Sequence, residues 1–235
     1  MLGKAWVVAG DGVENSSGDL LKNILAGRGI HTDEDTRKFL NPSIKEYMPN
    51  PSVLMDADKA AKIIADAVQQ KQKIAIYGDY DVDGITSTAV CVKYFRALGC
   101  DVVWHLPTRE GEGYGLNNEA IEDIVNDGVR LLITVDCGIS GVDEVAFAKE
   151  RGLQVVVTDR HAPDNVLPNA DAVVNPKRAD DTSGLTYLAG VGVAFLTLVA
   201  VNRELKTREL NPELSAKIEK TNQRTEKAER KKQIT

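Results

Sequence analysis

Residues 74–88 read IAIYGDYDVDGITST, an apolar run that is followed at once by three aspartates, Asp79, Asp81 and Asp83. The run IAIY is short and continuously apolar, which is typical of a strand buried on both faces of a sheet. A helix is predicted to begin near Ile85, just after the aspartates. A strand that passes directly into a helix is the start of a βαβ unit. Three carboxylates so close together repel one another, and a bound cation is the first candidate to offset that repulsion.

The same alternation of apolar strands and amphipathic helices continues to residue 176. Near-continuous apolar strands separated by helices predict an α/β fold with a doubly wound, mostly parallel sheet and helices on both faces. In such sheets, ligands bind at the carboxyl ends of the strands, near a switch in strand order. The alternating segments are KIAIYG, ITSTAVCVKYFRALG, DVVWHLP, LNNEAIEDIVNDG, LLITVD, VDEVAFAKERG, QVVVTD and DAVVNP.

The chain divides into three predicted parts. Residues 1–55 form a small helical segment, residues 56–205 the α/β domain, and residues 206–235 a charged tail. The tail has almost no large apolar residues, so we expect a solvated helix or a disordered segment. The alternative is that its basic residues contact phosphates; these are Lys217, Lys220, Arg230, Lys231 and Lys232.

Composition restricts the partners and the location. Lysine and arginine total 29 against 35 acidic residues, a net charge of -6, so a nucleic acid would have to bind at a local patch or through metal. The cysteines Cys91, Cys100 and Cys137 are far apart, and we see no CxxC pair and no signal peptide, which predicts a cytoplasmic protein. No apolar run reaches the roughly 20 residues that a membrane helix needs, so no membrane association is expected.

The segment DYDVDG has the opening spacing of a calcium-binding EF-hand loop. That loop requires a bidentate Glu at its twelfth position, where this chain has Val90. It also follows a helix, whereas DYDVDG follows a predicted strand. An EF-hand is therefore excluded.

Two more predicted strands end in polar residues. LLITVD ends in Asp136, and QVVVTD ends in Asp159, which is followed by Arg160 and His161. Carboxylates from three strand ends meet at one edge of a parallel sheet, and together with an imidazole they suit Mn²⁺ or Mg²⁺. Two such ions would promote an in-line phosphoryl displacement. For Asp136 alone, the alternative is an ordinary helix-capping aspartate.

Six motifs, in order and spacing, resemble RecJ-type exonucleases of the DHH phosphoesterase superfamily. The resemblance covers roughly Leu20 to Leu205 and includes the earlier segment RGIHTDEDTRKFLNPS. It implies that residues 56–205 are a DHH domain and that the protein is a manganese-dependent exonuclease. Such enzymes degrade single-stranded DNA from the 5′ end in repair and recombination. The motifs are IYGDYDVDGITSTA, REGEGYGL, ITVDCGIS, VTDRHAP, VVNPKR and LAGVGVAF.

The resemblance also implies roles for individual residues in a centre that holds two ions in the family. Asp136 and His161 would act at the metal–phosphate centre, and Asp159 would be part of the Asp-His-His triplet. The implied metal ligands are Asp79, Asp81, Asp83, Asp136 and His161.

Four further residues are implied to bind substrate. Arg109 would pair with a phosphate and Tyr114 would stack on a base. A surface salt bridge and plain packing are the respective alternatives. Gly190 and Gly192 would let the N-terminus of a helix approach a phosphate closely.

The chain departs from the family pattern in two ways. Arg160 stands where the family has the first histidine of its triplet, and a guanidinium cannot ligate a cation, so we expect one ion rather than two. After Leu205, nothing resembles the family's next segment, which carries another ligand Asp, or its second domain. We therefore expect a truncated core that hydrolyses single-stranded DNA slowly or not at all.

Two other function classes are compatible with the pattern. One is a signalling receiver module, with Asp136 as the phosphoacceptor, although the chain is longer than the ~120 residues of such a module. The other is a catalytically silent nucleic-acid-binding or scaffold protein that retains the fold. The sequence indicates no particular protein partner.

Overall fold

A computed structural model describes residues 20–108 and 115–209 of the chain. The chain divides into two compact units, residues 1–50 and residues 51–235. In the first unit, α1 spans Leu20–Ala26, α2 spans Asp33–Leu40 and α3 spans Ile44–Tyr47. The α2 helix begins where the Thr32 hydroxyl accepts a hydrogen bond from the Asp35 N–H at 3.0 Å, a regular N-cap.

The second unit is built on a five-stranded sheet in which every neighbouring pair of strands is parallel. The strands are β1 (Ile74–Tyr77), β2 (Val102–His105), β3 (Leu131–Val135), β4 (Gln154–Thr158) and β5 (Ala172–Val174). The strand order is β2-β1-β3-β4-β5, so the order reverses between β1 and β3. This result confirms the predicted α/β class.

Helices cover both faces of this sheet. They are α4 (Ala57–Gln69), α5 (Val82–Ala97), α6 (Asn118–Asn126), α7 (Val142–Glu150) and α8 (Gly190–Thr207). A 3₁₀ turn at Pro51–Val53 precedes α4. The side chains of Ile74 and Ile76 pack with α4, α5 and α8, whereas those of Ala75 and Tyr77 pack with α6 and α7, as the two-residue period of a strand requires.

Side chains form hydrogen bonds with the backbone of the edge strand β5. Asp56 Oδ2 accepts a hydrogen bond from the Val173 N–H at 3.1 Å, and Arg178 Nη1 donates to the Val173 carbonyl. Arg178 and Asp56 also form an ion pair at 2.9 Å. Backbone groups that would otherwise be open to another strand are thereby satisfied.

The predicted start of α5 near Ile85 is wrong by about one turn. The helix begins at Val82, because the Asp81 carboxylate accepts a hydrogen bond from the Gly84 N–H at 2.9 Å and serves as the N-cap. Asp83 consequently lies in the first helical turn. None of the helices in the described ranges has the length and apolar character that a membrane crossing requires.

Candidate metal centre

Three buried aspartates follow the carboxyl ends of adjacent strands. Asp79 comes two residues after β1, Asp136 directly after β3 and Asp159 directly after β4. Their exposed fractions are 0%, 0% and 1%, so each carboxylate has lost its hydration. The parallel order β1-β3-β4 brings them to one edge of the sheet, beside the switch in strand order where ligands bind in such folds.

Asp136 is the most perturbed of these side chains. Its backbone φ is 58°, in the left-handed region that costs a non-glycine residue roughly 1 kcal/mol or more. Oδ1 accepts a hydrogen bond from Arg160 Nε at 3.2 Å, whereas the buried Oδ2 has no hydrogen-bond partner among the described residues. Burial, reinforced by the nearby charge of Asp83, raises the pKa of Asp136 to about 6, although Arg160 and His161 oppose the shift.

Asp159 positions His161. Its Oδ1 accepts hydrogen bonds from His161 Nδ1 at 2.8 Å and from the backbone N–H groups of Arg160 and His161, and its Oδ2 accepts from the Ile139 N–H at 3.0 Å. Burial alone would raise the pKa of Asp159, but these hydrogen bonds outweigh it and lower the pKa. Because an ionised carboxylate only accepts, His161 Nδ1 carries a proton, and Nε2 remains as the ligand atom.

Two groups of side chains in the described ranges could each hold a cation. One consists of Asp136, Asp159 and His161, and the other of Asp79, Asp81 and Asp136; within each, the ligand atoms lie within 4.8 Å of one another. Both groups share Asp136. Carboxylates and an imidazole suit Mn²⁺ or Mg²⁺, and the hydrogen-bond-free Oδ2 of Asp136 is the feature that a cation would satisfy.

Asp83 has a different set of contacts from the other aspartates of its motif and lies outside both groups. Its Oδ2 accepts a hydrogen bond from the Gly190 N–H at 2.7 Å and its Oδ1 from the Val191 N–H at 2.9 Å. Asp83 therefore caps the N-terminus of α8, where a negative charge is favoured by the helix dipole. Its predicted role as a metal ligand stays a prediction.

The two glycines of α8 differ in their surroundings. A Cβ atom at Gly190 would lie 2.2 Å from Asp136 Oδ1, so the helix backbone packs directly against that carboxylate. A Cβ at Gly192 would lie 3.2 Å from the end of the Leu188 side chain. Since Asp83 already accepts from the first two N–H groups of α8, phosphate contact by these glycines stays a prediction.

Arg160 supplies positive charge inside the acidic cluster. Its Nε lies 3.2 Å from Asp136 Oδ1 and 3.3 Å from Asp83 Oδ2, and about a third of its side chain is exposed. An arginine between two carboxylates offsets part of their repulsion without any bound ion.

Two of the predicted substrate-binding residues, Arg109 and Tyr114, fall outside the described residues.

Asn175 is a residue of the site that the sequence did not indicate. It is buried, lies one residue beyond β5, donates from Nδ2 to the His161 carbonyl at 2.9 Å and helps to fix that loop. Its place after a predicted strand, at the same sheet edge, was the signal that could have identified it.

Comparison with known proteins identifies the family. Residues 73–220 match the model for the N-terminal domain of the DHH family, which is more than half of the chain. This chain belongs to the DHH family. Membership of the DHH family distinguishes this chain from signalling receiver modules, which have the same strand order. In this DHH-family chain, the three residues that follow β4 are Asp159, Arg160 and His161.

The DHH-family chain is similar to RecJ proteins. It is 42% identical to the single-stranded-DNA-specific exonuclease RecJ of Bacillus subtilis over 79% of the chain and 24% of the relative. It is 43% identical to the RecJ of Haemophilus influenzae over 81% of the chain and 32% of the relative. The crystal structure of Thermus thermophilus RecJ in complex with Mn²⁺ matches 79% of the chain and 25% of that protein, with a TM-score of 0.61 and 32% identity. The chain therefore spans a quarter to a third of the length of these relatives.

Proposed function

We propose that this chain hydrolyses phosphodiester bonds in single-stranded DNA with Mn²⁺ or Mg²⁺, as the DHH domain of a RecJ-like exonuclease. The observation that carries the proposal is Asp136, a buried carboxylate that is common to two candidate cation groups and keeps one oxygen without a hydrogen bond among the described residues. The names of the RecJ relatives and the manganese-bound Thermus structure support the substrate and the metal. Attack from the 5′ end, and a role in repair and recombination, rest on the resemblance to RecJ.

The residues that would hold a divalent cation are those of the two groups that share Asp136. They are Asp79, Asp81, Asp136, Asp159 and His161. When bound, divalent ions neutralise charge on the reacting phosphate and lower the pKa of water.

The residues around His161 hold its ring in place. The Asp159 carboxylate accepts hydrogen bonds from His161 Nδ1 and from the His161 backbone N–H, and Asn175 donates to the His161 carbonyl. Both carboxylate oxygens of Asp159 accept hydrogen bonds, so Asp159 also positions His161 within this ligand group. The hydrogen bond from Asp159 raises the pKa of His161, which favours a positive imidazole beside the phosphate whenever Nε2 is not coordinated.

Arg160 is expected to slow the reaction. Its guanidinium contacts both Asp83 and Asp136, so it competes with a cation for the same carboxylates. A guanidinium has no lone pair to ligate a metal and does not lower the pKa of water. We therefore propose that the chain holds one ion and that its hydrolysis is slow. With a DNA substrate and three free cysteines, we also propose a cytoplasmic location.

A second candidate function is binding of single-stranded DNA without cleavage. The contact of Arg160 with two carboxylates favours this alternative, because it satisfies charge in the cluster without a metal. Nucleotide release with and without Mn²⁺ separates the two functions.

The test compares three proteins on one fluorescently labelled single-stranded oligonucleotide: the unmodified chain, Arg160→His and Asp136→Asn. We expect slow Mn²⁺-dependent release of nucleotides by the unmodified chain, faster release by Arg160→His and none by Asp136→Asn. A duplex of the same sequence serves as the substrate control. If no variant releases nucleotides while the oligonucleotide still binds, hydrolysis is the wrong function and binding alone is the right one.

A further inference from the structure

A groove lies on the outer side of the sheet, between α5 and the edge strand β2. Its volume is about 300 Å³. Its walls include the apolar side chains of Ile85, Val92 and Leu106, and Trp104 is 54% exposed. The metal-binding residues proposed above do not line this groove.

The exposed indole follows from the sheet topology. Trp104 pairs in register with Ile76, so both side chains lie on the face of the sheet that α5 covers. Ile76 is fully buried there, but β2 is the outermost strand and Trp104 remains half open. A large aromatic side chain left exposed beside an apolar groove is a common feature of binding surfaces.

The charges in the groove are positive. Lys93 and Arg96 are exposed on α5, and neither forms an ion pair with another residue in the part of the chain that the structure describes. No carboxylate is among the side chains that line the groove. In a chain with a net charge of -6, this is a local patch that complements an anion. An aromatic platform with adjacent cations is the combination that binds unpaired nucleotides.

The groove begins close to the candidate metal centre. Asp81 caps α5, and Ile85 lies one turn further along the same helix. Leu106 directly follows the carboxyl end of β2. Arg96 lies eleven residues beyond Ile85, or about 16 Å along the helix axis. A DNA strand that leaves the acidic cluster along α5 would therefore pass Trp104 and the side chains of Lys93 and Arg96.

We propose that Trp104, Lys93 and Arg96 form a binding subsite for single-stranded DNA at the β2 edge of the sheet. The indole stacks on an unpaired base, and the two cations contact the flanking phosphates. The choice of ligand rests on the proposed function, but binding at this subsite requires neither metal nor hydrolysis.

The first test uses the fluorescence of Trp104. The chain contains two tryptophans, and Trp6→Phe leaves Trp104 as the single one. We expect an oligothymidine, added in EDTA, to quench the emission of this variant saturably, in parallel with the anisotropy of a labelled oligonucleotide. If anisotropy reports binding while the emission of Trp104 is unchanged, the subsite does not exist.

The second test uses matched substitutions in the otherwise unmodified chain. Trp104→Ala should weaken oligonucleotide binding roughly 5- to 150-fold, the range for loss of one stacked base. Lys93→Gln with Arg96→Gln should reduce the slope of log affinity against log salt by about 1.4, since each phosphate contact in a single strand contributes about 0.7. Lys59→Gln with Lys62→Gln makes the same charge change on α4, at the β5 side of the sheet, and should alter neither quantity.

Failure of this inference can be distinguished from failure of the proposed function. If Mn²⁺ neither binds nor supports hydrolysis but Trp104 is still quenched, the subsite stands and the nuclease assignment falls. If hydrolysis occurs but Trp104→Ala, shown by circular dichroism to be folded, binds DNA as tightly as the unmodified chain, the subsite falls. If the unmodified chain is a dimer in solution that Trp104→Ala dissociates and DNA has no effect on emission, the groove is a self-association surface and the inference is overturned.

Discussion

Asn in place of Asp136 removes one buried negative charge and preserves the shape of the side chain. The pKa of Asp136 is raised from 3.8 to about 6. Such an increase in pKa corresponds to about 3 kcal/mol of unfolding free energy lost when the carboxyl is ionised. Because the folded-state pKa lies above the unfolded one, this loss is absent below about pH 4 and grows until the pH exceeds about 6.

In EDTA, Asp136→Asn should therefore be more stable than the unmodified chain by about 1–3 kcal/mol at pH 8, because the buried charge is gone. The gain is smaller than the about 3 kcal/mol lost by ionisation, because the carboxamide keeps only part of the interaction with Arg160 and buries new N–H donors. At pH 4 the carboxyl of Asp136 is already largely protonated in the folded state, so the two proteins should differ little. For a chain of this size, each kcal/mol corresponds to roughly 2–4 °C in Tm.

Urea unfolding followed by circular dichroism at pH 4 and pH 8 measures the difference. Asp81→Asn is the matched control, because it makes the same chemical change at an exposed aspartate and relieves no buried charge. If Asp136→Asn is destabilised equally at both pH values, Arg160 already compensates the charge of Asp136 and the reasoning from burial is refuted.

Three further substitutions test how α8 packs against the acidic cluster. Gly190→Ala places a methyl group 2.2 Å from Asp136 Oδ1; it should lose about 1–3 kcal/mol of unfolding free energy and most Mn²⁺ stabilisation in thermal melts. Gly192→Ala should be nearly neutral, since the flexible Leu188 can move, and equal losses would contradict the packing argument. Asp83→Ala removes both acceptors at the start of α8 and should cost about 1–2 kcal/mol in urea unfolding, whereas no change would show that the cap contributes nothing.

The sheet could be predicted from the sequence because its strands are short apolar runs that end in polar residues. IAIY, LLITV and QVVVT become β1, β3 and β4, and the aspartates after them come to one edge because parallel strands share their direction. For Asp79, Asp136 and Asp159, the local sequence pattern predicts a strand end, and the fold places each of them after a strand at the same sheet edge.

The parts of the site that depend on contacts distant in sequence could not be predicted. Asp83 caps a helix that begins 107 residues later, and nothing in DYDVDG distinguishes this aspartate from its neighbours. Gly190 was expected to let α8 approach a phosphate closely, which stays a prediction; the structure places the Asp136 carboxylate against it. Arg160 contacts both Asp83 and Asp136 because of the direction of its long side chain. The spacing of residues in the sequence does not specify that direction.

The central claim is that the acidic cluster is a metal centre whose ion count Arg160 limits. Isothermal titration calorimetry with Mn²⁺ tests it most directly, because it counts ions without relying on activity. We predict one ion for the unmodified chain, two for Arg160→His and none for Asp136→Asn. Absence of Mn²⁺ binding by both the unmodified chain and Arg160→His would contradict the claim, and two ions in the unmodified chain would show that Arg160 displaces none.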